Sequence, residues 1–182
     1  MRRAQAWRAG HQHPRQAGLT LVEALVTLAV LGILAAFTLP SGVEALARQR
    51  LEAATRRLSQ GLELARAEAE QRRSPCVLSL KAEGWQAGVA ADLPGCADAA
   101  VALTEPGLAG DLHVVHNLPA ALRFSSNGLV LDGGTVVLSA AGTALRRCLV
   151  LAPPLGVVRL GRYQADPAAG LSSTACVPDP SL

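Results

Sequence analysis

The chain is poor in aromatic residues: two Trp, one Tyr and two Phe, or 3% of 182 positions. That scarcity excludes a stacking platform for single-stranded nucleic acid, which relies on exposed rings in series, and it leaves the core to Leu, Val and Ala. Charged residues are few as well, at 17% against 50% hydrophobic, which excludes a wholly disordered chain. Acids are absent from the first eighteen residues, where Arg2, Arg3, Arg8 and Arg15 fall. Without those four, thirteen basic residues face fourteen acidic ones. The formal charge of +3 therefore belongs to the amino terminus and is not a nucleic-acid signature. Chemical motifs are missing too. There is no nucleophile elbow, no phosphate-cradling loop, no HExxH and no CxxC pair, and Gly133-Gly134 reads as a turn. His113 and His116, the only histidines outside the amino terminus, would point to opposite faces of a strand, which suits neither a metal site nor a proton relay. Nothing in the sequence asks for a catalytic residue, a cofactor or a metal.

What is present is one long apolar run. Leu19 to Leu39 reads LTLVEALVTLAVLGILAAFTL, with Glu23 its single charged residue. At ~1.5 Å per residue, a helix of that length crosses a hydrocarbon core of ~30 Å. Basic residues before the run and a long segment after it orient the amino terminus to the cytoplasm and the bulk of the chain outside. A secretory signal cut after Ala45-Leu46-Ala47 and a plain uncleaved anchor are the simpler readings. The run exceeds the ~7 to 15 residues of a signal core, and an anchor leaves Glu23 unexplained. A carboxylate inside a span costs ~2.5 to 3.5 kcal/mol on insertion scales and asks for a partner.

Five features stand in fixed register here: a basic leader, Gly18, the stretch Leu19-Thr20-Leu21-Val22-Glu23, an apolar helix, and Pro40 just past it. This arrangement closely resembles the class III signal of type IV pilins and type II secretion pseudopilins. The resemblance implies that a prepilin peptidase removes residues 1–18 by cutting between Gly18 and Leu19, and that the new amine of Leu19 is N-methylated. The span 19–39 then stays attached, first as a membrane anchor and later as the core of a fibre. Glu23 would pair with the cationic amine of a neighbouring subunit, offsetting the burial of both charges. Members of the family usually begin the mature chain with Phe, whereas this one begins with Leu.

Beyond Ser41, Val43, Ala47, Leu51, Ala54, Leu58, Leu62, Ala65 and Ala69 recur at spacings of three and four, which predicts an amphipathic helix over 40–73. Glu52/Arg56 and Arg66/Glu70 stand at i,i+4 on the other faces, as on a solvated helix surface. With the span, the helix would run from Leu19 to about Arg73, bent or locally opened near Pro40 and Gly42. Ser74-Pro75 ends it. Short β-like runs follow, at Val77 to Leu80, Trp85 to Ala90, Leu112 to His116, Ala121 to Phe124, Leu129 to Leu131, Thr135 to Ser139, Arg146 to Leu151 and Gly156 to Leu160. Asn127-Gly128 and Asp132-Gly133 are tight-turn signals and suggest an antiparallel meander, with Ala91 to Asp111 an irregular loop. The fold class is α+β and pilin-like: a long amino-terminal helix packed on an antiparallel β-sheet head spanning 74–182.

Cys76, Cys96, Cys148 and Cys176 all lie on the exported side, where four cysteines read as two disulfides. Three pairings exist. Sequence neighbours favour Cys76 with Cys96 and Cys148 with Cys176, each closing a loop worth ~3 kcal/mol in the chain-entropy model, the second tying the tail to the sheet.

The head resembles the GspH/FimT type of minor pseudopilin in Leu122-Arg123-Phe124 with Asn127-Gly128, Thr135-Val136-Val137-Leu138, Arg147-Cys148-Leu149-Val150-Leu151 and Gly156-Val157-Val158-Arg159. That resemblance implies a structural subunit of the bacterial inner membrane with a periplasmic head, later part of a short fibre or its tip. Its partners would be other pilin-like subunits, the prepilin peptidase and the inner-membrane assembly platform of a type II secretion or type IV pilus system. Some FimT-like members instead bind DNA for uptake through a Gly-Arg-x-Arg motif. Here Gly156-Val157-Val158-Arg159 lacks the first arginine and Gly161-Arg162-Tyr163-Gln164 the second. Arg159 and Arg162, with Arg123, Arg146 and Arg147, would serve such a site only if they share a face.

Overall fold

The computed structural model describes residues 20–104 and 112–179. The leader 1–18, the Gly18-Leu19 junction and the end of the loop expected over Ala91 to Asp111 lie outside the described residues, as do the side chains of residues 36–41, Pro40 included. The chain divides into two compact units, Met1–Pro40 and Ser41–Leu182.

Helix α1 (Leu21–Arg72) begins in the first unit. Thr20 caps it: its Oγ1 accepts the Glu23 N–H at 3.2 Å, and its carbonyl accepts the Ala24 N–H at 3.0 Å. Thr20-x-x-Glu23 has the spacing of a capping box, and a carboxylate in the first turn suits the helix dipole. Nine large apolar side chains between Leu21 and Leu34 are 50 to 77% exposed. Among the described residues no helix is long and apolar enough to cross a membrane; the run from Leu19 to Leu39 includes Leu19 and the side chains of 36–39, which lie outside them. The backbone is helical through Pro40 and Gly42, with no opened turn there.

In the second unit, α1 buries the face that the periodicity marks out: Ala47, Leu51, Ala54, Leu58, Leu62, Ala65 and Ala69 are each at most 6% exposed. Val43 departs from the stripe at 62%, one turn beyond where the head begins to cover the helix. The helix ends in a Schellman motif. Arg73 takes φ 48°, the Ser74 N–H reaches the Ala69 carbonyl at 3.2 Å and the Arg73 N–H that of Glu70 at 3.2 Å, satisfying carbonyls the last turn leaves open.

Among the described residues nine strands follow: β1 (Cys76–Lys81), β2 (Gly84–Ala87), β3 (Val101–Ala102), β4 (Leu112–His116), β5 (Leu122–Phe124), β6 (Gly134–Ala140), β7 (Arg146–Ala152), β8 (Val157–Tyr163) and β9 (Cys176–Pro178). They form two antiparallel sheets rather than one, in the orders β3-β2-β1-β5 and β4-β6-β7-β8-β9. The expected meander is formed by β6 to β9 in the larger sheet and by β1 to β3 in the smaller one, whereas β4 and β5 pair out of sequence order. Leu129 to Leu131 is not a strand: Val130 forms a single bridge to Phe124 after the Asn127-Gly128 turn, where Gly128 takes φ 71°. Within the expected loop lie a 3-10 turn, Ala97–Ala99, and the short β3.

One core holds the α1 stripe with Leu78, Trp85 and Phe124 of the smaller sheet and Val136, Leu138, Leu149 and Leu151 of the larger. The register Val136↔Leu149↔Leu160 puts these residues on the helix side, whereas Val137↔Cys148↔Gly161 lies on the other. That other face carries a second core of Val137, Cys148, Tyr163 and Cys176, with Leu171 and Ala175 of the tail packed on it. β6 and β7 are therefore covered on both faces, which is why they read as unbroken apolar runs instead of alternating ones.

Candidate functional site

Among the residues expected to act in processing and assembly, the described part contains Glu23. Its side chain is exposed on the first turn of α1, at the capped end of a helix whose apolar residues stand uncovered on every side. A helix that is apolar all round requires an apolar surround, and the nine large apolar side chains between Leu21 and Leu34 are exposed.

The cysteines pair as sequence neighbours, Cys76 with Cys96 and Cys148 with Cys176, closing separations of 20 and 28 residues. The first bond holds the loop after β2 against β1. Glu68 of α1, 5% exposed, secures the same loop: its carboxylate accepts the N–H groups of Ala97 at 3.1 Å and Asp98 at 2.9 Å and pairs with Arg72 at 2.8 Å. In sequence Glu68 and Arg72 look like any solvated i,i+4 pair, so nothing there marked the buried role. The second bond ties the tail to the outer face of β7.

Several helix charges expected to be solvated also reach the head. Arg66 donates to the carbonyls of Leu155 and Gly156, each at 2.8 Å, and Glu52 accepts from Arg147 at 2.9 Å. These replace the expected Glu52/Arg56 and Arg66/Glu70 pairs, because the head approaches the helix on those faces.

The five arginines considered for DNA do not all share a face. Arg159 and Arg162 are three positions apart on β8, hence on opposite sides of the sheet, and Arg159 donates to the Ser173 carbonyl at 2.6 Å. Arg123 belongs to the other sheet and grips Asp132 with two nitrogens, at 2.9 and 2.8 Å. This contact holds the Asp132 carboxyl below its ordinary range and raises the Arg123 guanidinium. Arg147 is buried between Glu52 and Asp179. No continuous track for a phosphate backbone results.

His113 and His116 sit on opposite faces of β4, the latter with Nδ1 buried and unpaired among the described residues. Among those residues no group of His, Cys, Asp or Glu is arranged to hold a metal.

The family described as type II transport protein GspH matches residues 54–154, more than half the chain, from the buried half of α1 through β7. The prokaryotic N-terminal methylation motif matches residues 13–39, which include Gly18, Leu19 and Glu23. No curated protein and no solved structure matches the chain.

Proposed function

Because this chain belongs to the type II transport protein GspH family, whose members are structural pseudopilins, we propose that it is a minor subunit of a type II secretion fibre, made as a precursor in the inner membrane. Prepilin peptidase removes residues 1–18, the amine of Leu19 is methylated, and the span 19–39 anchors the subunit with its head in the periplasm. The assembly platform then lifts it into a short fibre or its tip beside other pilin-like subunits. One observation carries this reading: the methylation motif at 13–39 coincides with the segment whose nine large apolar side chains stand uncovered. Lipid covers them before assembly and neighbouring helices afterwards.

Glu23 has two tasks in this scheme. Within the chain it complements the start of α1 behind Thr20, and between chains it neutralises the Leu19 amine of a neighbour in the apolar fibre interior. The second task accounts for its energetic cost in a span. The DNA-uptake reading gains no supporting observation, since the head arginines are divided between sheets, faces and internal partners.

The test is the intact mass and amino-terminal sequence of the membrane-extracted protein from its host. N-methyl-Leu19 is expected; a chain starting at Met1, or at Arg48 after a conventional cut, overturns the proposal. In the Glu23→Ala chain, cleavage at Leu19 continues while fibre incorporation is lost, because removing one member of a buried charge pair costs ~3 to 5 kcal/mol.

A further inference from the structure

Where α1 meets β7, β8 and the tail there is a groove of about 520 Å³. It is lined by four arginines, Arg48, Arg146, Arg147 and Arg162, against two carboxylates, Glu52 and Asp179. Both carboxylates are engaged by Arg147, which is 3% exposed and donates to Glu52 at 2.9 Å and to Asp179 at 2.6 Å. Arg48 is tied to Glu44 at 2.7 Å, and Arg146 donates to the Ala165 carbonyl at 3.0 Å.

Arg162 differs from the other three. It is exposed, has no partner among the described residues, and stands directly opposite Arg147 in the β7–β8 register. The charge of Arg147 is already offset by Glu52 and Asp179, so Arg162 adds a positive charge that no carboxylate among the described residues engages directly.

We propose that this groove is the docking site for an acidic segment of a partner protein, with Arg162 gripping a carboxylate bidentately and Arg48 and Arg146 supplying positive charge at the rim. A planar guanidinium backed by neighbouring positive charge suits a carboxylate. A nucleic acid is disfavoured because it needs a basic track leading out of the groove, and Arg159 and Arg123 lie elsewhere. That the partner is a neighbouring subunit or machine component rests on the pseudopilin reading; the site and its chemistry do not.

The experiment uses the full chain in detergent and a fluorescein-labelled oligoglutamate peptide, with binding followed by fluorescence anisotropy at low salt. Saturable binding is expected, weakened about ten-fold or more by Arg162→Ala and partly restored by Arg162→Lys, which keeps the charge but not the fork. The Tm of Arg162→Ala is expected to stay close to that of the native chain, since the Arg162 side chain is exposed and has no partner among the described residues. No binding, or equal binding by Arg162→Ala, overturns the proposal. So does displacement of the peptide by duplex DNA at lower concentration than by free oligoglutamate, which would make the occupant a nucleic acid. The amino terminus of the same preparations separates the two readings. Absence of N-methyl-Leu19 sinks the pseudopilin reading alone, and absence of peptide binding sinks the groove alone.

Discussion

At the scale of single residues, position 61 shows how packing can reverse a propensity. Glycine inside a helix is less favourable than alanine by ~1 kcal/mol, yet a Cβ at Gly61 would overlap the indole of Trp85. That ring is 2% exposed and its Nε1 donates to the Leu58 carbonyl at 2.8 Å, so it cannot slide away cheaply. Overpacking of this kind costs ~1 to 3 kcal/mol. Gly61→Ala is therefore expected to lower stability by about 1 kcal/mol or more despite the better helix former, as read from the midpoint of urea unfolding. Asp132 makes a second prediction at this scale. Its hydrogen bonds from Arg123 depress its folded pKa, so the stabilisation it gives is complete above the ordinary carboxylate value of about 4 and fades as pH falls through the depressed one. The Tm difference between the native chain and Asp132→Asn should be present at pH 7 and shrink as pH falls through the depressed carboxyl value. A difference that persists at low pH would mean that the pair contributes through packing.

At the scale of elements, α1 has two different surfaces in succession. Residues 47–69 present a buried stripe that the head covers, with Leu51 and Leu58 fully enclosed. Residues 21–34 present exposed apolar side chains all round. The first pattern is amphipathic and stabilises a domain; the second requires another solvent or another molecule. The strands follow the same logic. β6 and β7 carry Thr135-Val136-Val137-Leu138 and Cys148-Leu149-Val150-Leu151 because α1 covers one side of them and the tail the other. β4, at the sheet edge, alternates between half-buried and exposed residues.

At the scale of the whole head, the tail is held by three kinds of contact: β9 on β8, the Cys148–Cys176 bond, and Asp179 on Arg147. The family match ends at 154, so β8, β9 and this strap lie beyond it. Opening the bond through Cys148→Ala with Cys176→Ala is expected to destabilise the head by ~3 kcal/mol, given a loop of 28 residues. It should also make residues after Tyr163 the first site of proteolysis, with the Cys76–Cys96 bond intact by mass. An unchanged unfolding midpoint would show that β9 and Asp179 hold the tail unaided.

The amino-acid sequence alone determined what depends on local order along the chain. The amino-terminal methylation motif over 13–39 could be read because its register is a matter of spacing, and the buried stripe of α1 because a helix converts spacing into a face. The cysteine pairs are sequence neighbours, and that too was readable. Tertiary structure alone decided what depends on which distant segments meet. It split the strands into two sheets, since pairing β5 with β1 and β4 with β6 involves partners far apart in sequence. It buried Glu68 and Arg147, whose residue types are indistinguishable from solvated charges until a loop and a tail arrive beside them. It also placed Arg123 on a different sheet from Arg159 and Arg162, which no spacing along the chain shows.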